Sequence, residues 1–536
     1  MNDFDLLVIG SGFGGSLTTL IARRLGLSVL LIEKGTHPRF AIGESSSPLA
    51  NLLLEELCDR YGLDRIRPLT AWGSWQRTYP HVGCGLKRGF TFYGHRAGAP
   101  FPNDPERRDQ LLVAASPRDE VADTHWYRAD FDHFLVREAQ AAGADYLDQT
   151  SLSRVEPRAD GVVVEAERKG RPLRITGKLL IDASGPRGFL HRALELPESA
   201  FPQFPRTEGL YTHFQDVERL ESLRAFSSSQ PPYPVDDAAV HHVFDGGWIW
   251  VLRFGNGLVS AGVAADQTFA RRLRLEEGEP AWNRLLAGLP SVQEQFALAR
   301  AVLPFVYSSR LPFRVAAAAG PGWALLPSAA AFIDPLLSTG IPLTISGIAR
   351  IGEALESHSD RPTLERKLAR SGRIMLFEAD TAALLVSALY ASFADFELFG
   401  ALTLLYFGSA SYAEAARRLG RPELAGSFLS GDHPAFGPAL RSCCRAVLDA
   451  RARGTLAAER ELLITRVYGA IEPLDVAGFS DRGRRNWHPV ETGPLLAGAQ
   501  KLGATQAELE AMLERSGFFA SEEPDQRRTQ LKDSSG

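Results

Sequence analysis

Phe4-Asp-Leu-Leu-Val-Ile9-Gly10-Ser-Gly12-Phe13-Gly14-Gly15 joins a short apolar run to a glycine cluster. The residues that follow, Ser16 to Leu25, repeat their apolar positions with a helical period, and a second apolar run from Ser28 to Ile32 ends at Glu33. Strand, turn, helix, strand is the opening of a parallel α/β sheet. Within G-x-G-x-x-G, Gly10 permits the tight turn, Gly12 admits a pyrophosphate to the backbone and Gly15 lets the helix pack on the sheet. The phosphates then lie at a positive helix N-terminus. Glu33, eighteen residues beyond Gly15, is placed to bind the adenosine ribose hydroxyls. The loop by itself does not separate FAD from NAD. Its N-terminal place, and the lack of a second such loop for a nicotinamide, favour FAD.

Outward from this unit, Leu179 to Ile181 leads into Asp182-Ala-Ser-Gly185 and is expected to rejoin the sheet. Between residues 200 and 315 the pattern becomes a meander. Val240 to Phe244, Trp248 to Phe254 and Leu258 to Ala264 are β-rich runs separated by Gly246-Gly247 and Gly255-Asn-Gly257, both hairpin signals. Phe90 to Tyr93 is expected to add a strand to this antiparallel sheet. After about residue 345 the chain turns helical through residue 515, and 521–536 reads as a frayed polar tail.

The 536 residues are 45% hydrophobic and 23% charged, enough for more than one structural unit. A net charge of −5 offers no electrostatic case for nucleic acid or an anionic membrane. The four cysteines (Cys58, Cys84, Cys443, Cys444) have neither metal-ligand spacing nor a disulfide framework, which suits a reducing cytoplasm. Acidic residues near Met1 speak against a signal peptide. Val315 to Ile333 is broken by Gly320, Pro321, Gly322 and Pro327, while Thr381 to Ala394 and Leu398 to Ala413 are too short to span a bilayer. No membrane span is expected, and the protein is read as cytoplasmic.

Three further segments carry chemistry. His37-Pro-Arg39-Phe-Ala-Ile42-Gly43-Glu44-Ser45, with Pro48, is a glycine- and serine-rich loop opening a helix. Phe332-Ile-Asp-Pro335-Leu-Leu-Ser338-Thr339-Gly340 leads consecutive amides into a helix, either as an anion site or as a helix start capped by Ser338. Gly85-Leu-Lys87-Arg-Gly-Phe90-Thr-Phe-Tyr-Gly-His95 sets a lysine among glycines just ahead of an aromatic strand. Arg88 competes with Lys87 for any proton-handling role, although arginine does not readily give up its proton.

The N-terminal loop resembles that of the class A flavin monooxygenases, and the three segments together resemble the flavin-dependent halogenases over residues 1 to about 420. The second segment matches the halogenase pattern F-x-x-P-x-x-S-x-G at every fixed position. The resemblance is closest to members acting on free phenolic compounds, which also lack the Gly-Asp that most relatives carry where this chain has Pro327-Ser328. It implies an FAD-binding Rossmann-like domain of the type shared with p-hydroxybenzoate hydroxylase. That domain is interleaved over residues 1–360 with an inserted antiparallel substrate sheet at about 80–100 and 200–315. A C-terminal helical domain, 361–520, covers the substrate pocket, with aromatic residues around Phe393 to Tyr406 as candidates for lining it or simply for helix packing.

The resemblance further implies that a separate flavin reductase supplies FADH₂. O₂ forms a C4a-hydroperoxide on it, and chloride or bromide is oxidised to hypohalous acid, which Lys87 aims at a small aromatic substrate. It assigns cofactor binding to Gly10, Gly12, Phe13, Gly14, Gly15, Glu33, Lys34, Arg39, Ile42, Gly43, Glu44, Arg128, Asp182 and Ile341. It assigns halide binding to Ser338, Thr339 and Gly340, and a barrier against direct oxygen transfer to Trp248 and Trp250. Arg128 and Asp132 read equally as an i,i+4 ion pair.

Three departures matter. The usual W-x-W-x-I-P becomes Trp248-Ile-Trp250-Val-Leu252-Arg253, which keeps a flavin hydroxylase in view as a rival. Leu337 stands where tryptophan halogenases place a glutamate, which points to rings already activated by hydroxyl groups. Pro327-Ser328 in place of Gly-Asp removes a usual flavin contact and is the one support for a non-catalytic flavin-binding protein.

Overall fold

The strand Phe4–Ile9 is apolar except for Asp5, and a strand of that kind is stable only with both faces covered. In the computed structural model, which describes residues 4–102, 104–226 and 230–519, it lies inside a sheet. Val29–Ile32 pairs with it in parallel on one side and Arg171–Asp182 on the other, with Leu6 opposite both Val29 and Leu179. Trp323–Leu325 and Asp145–Leu147 extend the sheet outward, again in parallel. Five strands thus end on one edge, where an open α/β sheet binds ligands. The helix Phe13–Arg24 packs against the helix Gly340–Leu355, so the two later meet over the same edge.

The second sheet has nine strands, and its hairpin core is the meander expected from the glycine pairs: Ala238–Phe244, Gly247–Arg253 and Val259–Asp266 run antiparallel. It is mixed rather than antiparallel throughout. Gly89–His95 runs parallel to Ala238–Phe244, and Trp487–His488 parallel to Gln110–Ala114. Parallel neighbours need a long return connection, and the chain makes these returns through the first sheet and the helical layer. The aromatic strand also stops short of the lysine. Cys84–Lys87 forms a separate two-stranded ladder with Asp123–Trp126. Gly85 is required there, because a Cβ on it would enter the carbonyl oxygen of Arg253.

The helical layer comprises Gly340–Leu355, Arg361–Ser392, Phe396–Arg418, Phe436–Arg453 and Leu456–Ile471. Arg361–Ser392 is, among the described residues, the one helix long and apolar enough to cross a membrane. Two-thirds of its apolar window (67%) is buried inside the fold. It packs against Gly340–Leu355 and Phe436–Arg453, which cover its apolar stretch. The tail expected at 521–536 lies outside the described residues.

Candidate active site

The strand ends at Ile9 and Ile32, with the turns that follow Asp182 and Leu325, surround one cavity of about 1090 Å³, at the upper end of small-ligand sites and large enough for a dinucleotide. Its floor is backbone. Gly10 has φ +91°, and a Cβ there would lie 2.6 Å from the Ala183 carbonyl oxygen. A Cβ on Gly15 would enter the Gly10 carbonyl, so close helix packing accounts for that glycine, which does not line the cavity. Gly12 precedes the helix Phe13–Arg24 with no side chain capping it, leaving the first amides free for an anion. This cradle, with a carboxylate at the end of the second strand, fits the phosphates and ribose of FAD.

That carboxylate, Glu33, accepts hydrogen bonds from the Ser11 amide (3.0 Å), the Ser11 hydroxyl (2.9 Å) and the Gly35 amide (2.9 Å). Burial raises its affinity for a proton, but the amides of Gly35 and Ser11 and the nearby Arg39 outweigh burial and hold it below the usual carboxylate range. Phe13, Gly14, Lys34, Arg39, Ile42, Gly43, Glu44, Arg128 and Ile341 also line the cavity. Asp182 does not. It is wholly buried behind the wall, where it accepts from the amides of Ser184 (2.8 Å) and Leu190 (2.7 Å) and shapes the turn after its strand.

The loop from Ile42 to Ser46 is held from two sides. Arg128 donates to the carbonyls of Ile42 (2.8 Å) and Gly43 (2.9 Å) while gripping Asp132 in a two-pronged ion pair at 2.8 Å. One guanidinium thus makes the i,i+4 ion pair and holds the Ile42–Gly43 loop at the cavity wall. Glu44 pairs with buried His213 at 2.8 Å, and its carbonyl accepts from the Trp126 amide. Replacing Arg128 with methionine strands Asp132 in the interior and frees the loop. A loss of roughly 3–5 kcal/mol is expected, read as a lowered midpoint in thermal unfolding.

The segment Pro335 to Gly340 has an unusual backbone. Leu337 and Ser338 are left-handed, with φ of 64° and 53°, and Thr339 returns to φ −66°. The Ser338 amide donates back to the Pro335 carbonyl at 3.1 Å, and a turn of this kind can aim the amides that follow toward one concave side, an anion-binding arrangement. Ser338 does not cap the helix Gly340–Leu355: the capping position is Thr339, and no side chain caps it. Ser338, Thr339 and Gly340 all face the cavity. Asp334, just ahead of this segment, accepts from Trp248 Nε1 (3.1 Å) and Tyr390 (2.8 Å), tying the tryptophan strand to the left-handed turn. Burial pushes the Asp334 carboxyl up to about 6. Leu337 is fully buried, so a carboxylate placed there would need a partner that this packing lacks.

Strand alternation places Trp248, Trp250 and Leu252 on the cavity wall. Arg253 turns to the opposite face, where it pairs with buried Asp236 at 2.9 Å and donates to the carbonyls of Val217 and Glu218. The departure from Ile-Pro is a structural ion pair on the far side of the sheet, and the tryptophan wall is intact.

Lys87 is wholly buried and does not line the cavity. Its Nζ donates to Ser45 Oγ (2.9 Å) and to the Ser46 carbonyl, and it lies 3.6 Å from the centre of the Phe90 ring. Burial draws its pKa down to about 7. Ser45 lines the cavity and also holds Lys87, so it stands between the two. Arg88 points elsewhere, to Asp119 (2.6 Å) and the Pro117 carbonyl (2.8 Å). Phe407 packs edge-on against Phe90 at 5.0 Å, and Phe399 against Phe92 at 5.8 Å, so the helical layer closes over the lysine.

Sequence reasoning missed Asp334, Asn51, Asp123 and His213. Asp334 sits inside the quoted segment and was legible as a buried carboxylate beside a proline. The others become neighbours through strand pairing, for which a single sequence carries no signal.

A family model described as tryptophan halogenase matches residues 122–391. The chain is 31% identical over 415 residues to the monodechloroaminopyrrolnitrin halogenase PrnC of Pseudomonas fluorescens, an alignment covering 76% of this chain and 71% of that one. It is 30% identical to the tetracycline 7-halogenase of Kitasatospora aureofaciens, across 64% of this chain and 61% of that one. Among solved structures, the halogenase PltM in complex with phloroglucinol and FAD superposes with a TM-score of 0.81 at 27% identity, covering 90% of this chain and 99% of that one.

Proposed function

Since the chain belongs to the flavin-dependent halogenases, we propose that it transfers an electrophilic halogen to an electron-rich, phenolic ring, with Lys87 as the delivering group. FAD, reduced by a separate flavin reductase and bound on the Gly10–Gly15 loop, supplies with O₂ the oxidising equivalent that turns chloride or bromide into hypohalous acid. The amides of Thr339 and Gly340, beside Ser338, hold the halide on the cavity side. Trp248 and Trp250 keep the aromatic substrate away from the cofactor, so that oxygen is not inserted directly. Hypohalous acid passes Ser45 to reach Lys87. In the transfer a carbon–halogen bond forms, the oxygen–halogen and carbon–hydrogen bonds break, and hydroxide and the ring proton leave as water.

The observation that carries this reading is a buried lysine beside the cavity wall, hydrogen-bonded to a serine that lines the cavity. A lysine at a surface would be solvated; one that burial has made able to shed its proton is suited to handling halogen. The substrate class rests on Leu337, which offers no carboxylate to assist an unactivated ring. PltM, whose structure holds phloroglucinol, is consistent with it.

The test supplies FAD, a flavin reductase, NADH, O₂ and bromide with a resorcinol-like phenol and reads the product mass. A brominated product with its paired isotope signal is expected. Hydroxylated phenol without bromine would sink the proposal.

A further inference from the structure

We infer that Asp123 is the counter-charge of Lys87 in halogen transfer, a positioning residue that acts through the lysine and not on the substrate. The inference rests on the delivering role proposed for Lys87.

The two residues are direct cross-strand partners: Lys87 on Cys84–Lys87 is paired with Asp123 on Asp123–Trp126. Directly opposite residues of an antiparallel pair project to the same face, with Cβ atoms about 4.5–5.5 Å apart. Both are buried, at 0% and 4% exposure. Yet they form no contact ion pair. Lys87 Nζ turns to the Ser45 and Ser46 oxygens and the Phe90 ring, which together give each of the three protons of an ammonium a partner. Asp123 receives one hydrogen bond, from Asn51 Nδ2 at 3.0 Å, and its other oxygen has no partner. A carboxylate buried with one neutral donor is too poorly satisfied to be explained as a structural brace.

The surroundings leave these two groups facing one another. His125 on the same strand and His241 on Ala238–Phe244 are both driven by burial to about 3, so they are neutral. From Phe396–Arg418, Tyr406 is pushed up by burial and stays uncharged, while Glu414 and Arg418 pair with each other at 2.9 Å. From Pro48–Tyr61 comes the uncharged Asn51. Glu44, next to Ser45, is turned onto His213. Burial strips the proton from Lys87, and Asp123 opposes that effect by attraction. Burial likewise raises the Asp123 carboxyl, to about 8 against the pull of Lys87, so near neutral pH the two groups share one proton between them.

This charge has a use in the reaction. As the halogen moves to the ring, the departing hydroxide takes a proton from the Lys87 ammonium and leaves as water. The ring then loses its own proton, which restores the ammonium. Asp123 is the group that shares this proton with the amine: it is the negative counter-charge whenever the proton sits on Lys87, and so it sets how readily the proton returns. Tryptophan-type members place a carboxylate before the serine of the anion loop; Leu337 leaves this chain without it, and Asp123 supplies one from a different strand.

The test measures the pH profile of kcat/KM for bromination of one phenol by the wild type, Asp123→Asn and Asn51→Ala, with Lys87→Met alongside. Removing the negative charge makes the ammonium easier to deprotonate. The limb belonging to Lys87 must therefore move to lower pH by about one unit or more in Asp123→Asn, a shift of tenfold in proton affinity. Asn51→Ala removes a donor that favours the ionised form of Asp123, so the same limb moves the same way by less. It decides the matter if Asp123→Asn does not fold. A uniformly lower rate with a superimposable profile, or a shift to higher pH, overturns the inference. Bromination by Lys87→Met at the wild-type rate fails the reading of Lys87 itself, whatever the aspartate variants do.

Discussion

Lys87→Met turns over reduced flavin and O₂ as the wild type does, yet returns the phenol without halogen, with bromination falling by at least about a thousandfold. The size of the effect follows from where the lysine stands. It touches none of the cofactor cavity, so the cofactor's own chemistry proceeds. It is the one cation, among the described residues, placed over the Phe90 ring where the aromatic layer closes. A group that positions and polarises a reagent at van der Waals distance from its target is worth about 4 kcal/mol or more through proximity and electrostatics together. Methionine matches the lysine stem in length and keeps the packing on Phe90, so the fold is retained. The check has two parts: product mass for the phenol, and a small-molecule trap for free hypohalous acid. The trap is expected to fill in the variant while the phenol stays unmodified. A brominated phenol formed at the wild-type rate refutes the role given to Lys87.

Gly15→Val is expected to abolish FAD retention, weakening affinity by about a hundredfold or more. A Cβ at Gly15 would enter the Gly10 carbonyl, and the next nearest atoms are Gly10 C at 3.1 Å and Ala183 Cβ at 3.2 Å. None is the end of a flexible side chain, so the helix Phe13–Arg24 has to withdraw from the strand. Withdrawal carries its first amides away from the pyrophosphate position and costs about 1–3 kcal/mol of stability as overpacking. Titrating apoprotein with FAD and following flavin fluorescence measures the affinity. Gly469→Ala is the matched control. That glycine lies inside the helix Leu456–Ile471 with open space around its Cβ position, so alanine there leaves FAD binding unchanged and adds about 0.5–1 kcal/mol of stability. Tight FAD binding by Gly15→Val contradicts the assignment of the loop.

Much of this was legible along the chain because it is local. Gly10 to Gly15, Glu33 and the hairpin glycines each act within a few residues of themselves, through turn geometry and helix packing. The F-x-x-P-x-x-S-x-G spacing marked the turn that leads into the helix Gly340–Leu355, although Ser338 proved to be a left-handed turn residue and not the cap of the helix. Strand alternation alone turned Arg253 away from the tryptophans, as the ion pair with Asp236 bears out.

What the tertiary structure alone decided is non-local. Asp182 ends the right strand in the right sheet but lies behind the cavity wall, because its oxygens are consumed by the turn that follows it. The second sheet is mixed because two of its strands come from segments far apart in the chain. Above all, the sequence by itself determined that a lysine follows Gly85 and precedes an aromatic strand. Only the pairing of Cys84–Lys87 with Asp123–Trp126 sets that lysine opposite a buried aspartate and against Ser45. Register between distant strands depends on which faces the whole core buries, and no residue or its near neighbours encodes that alone.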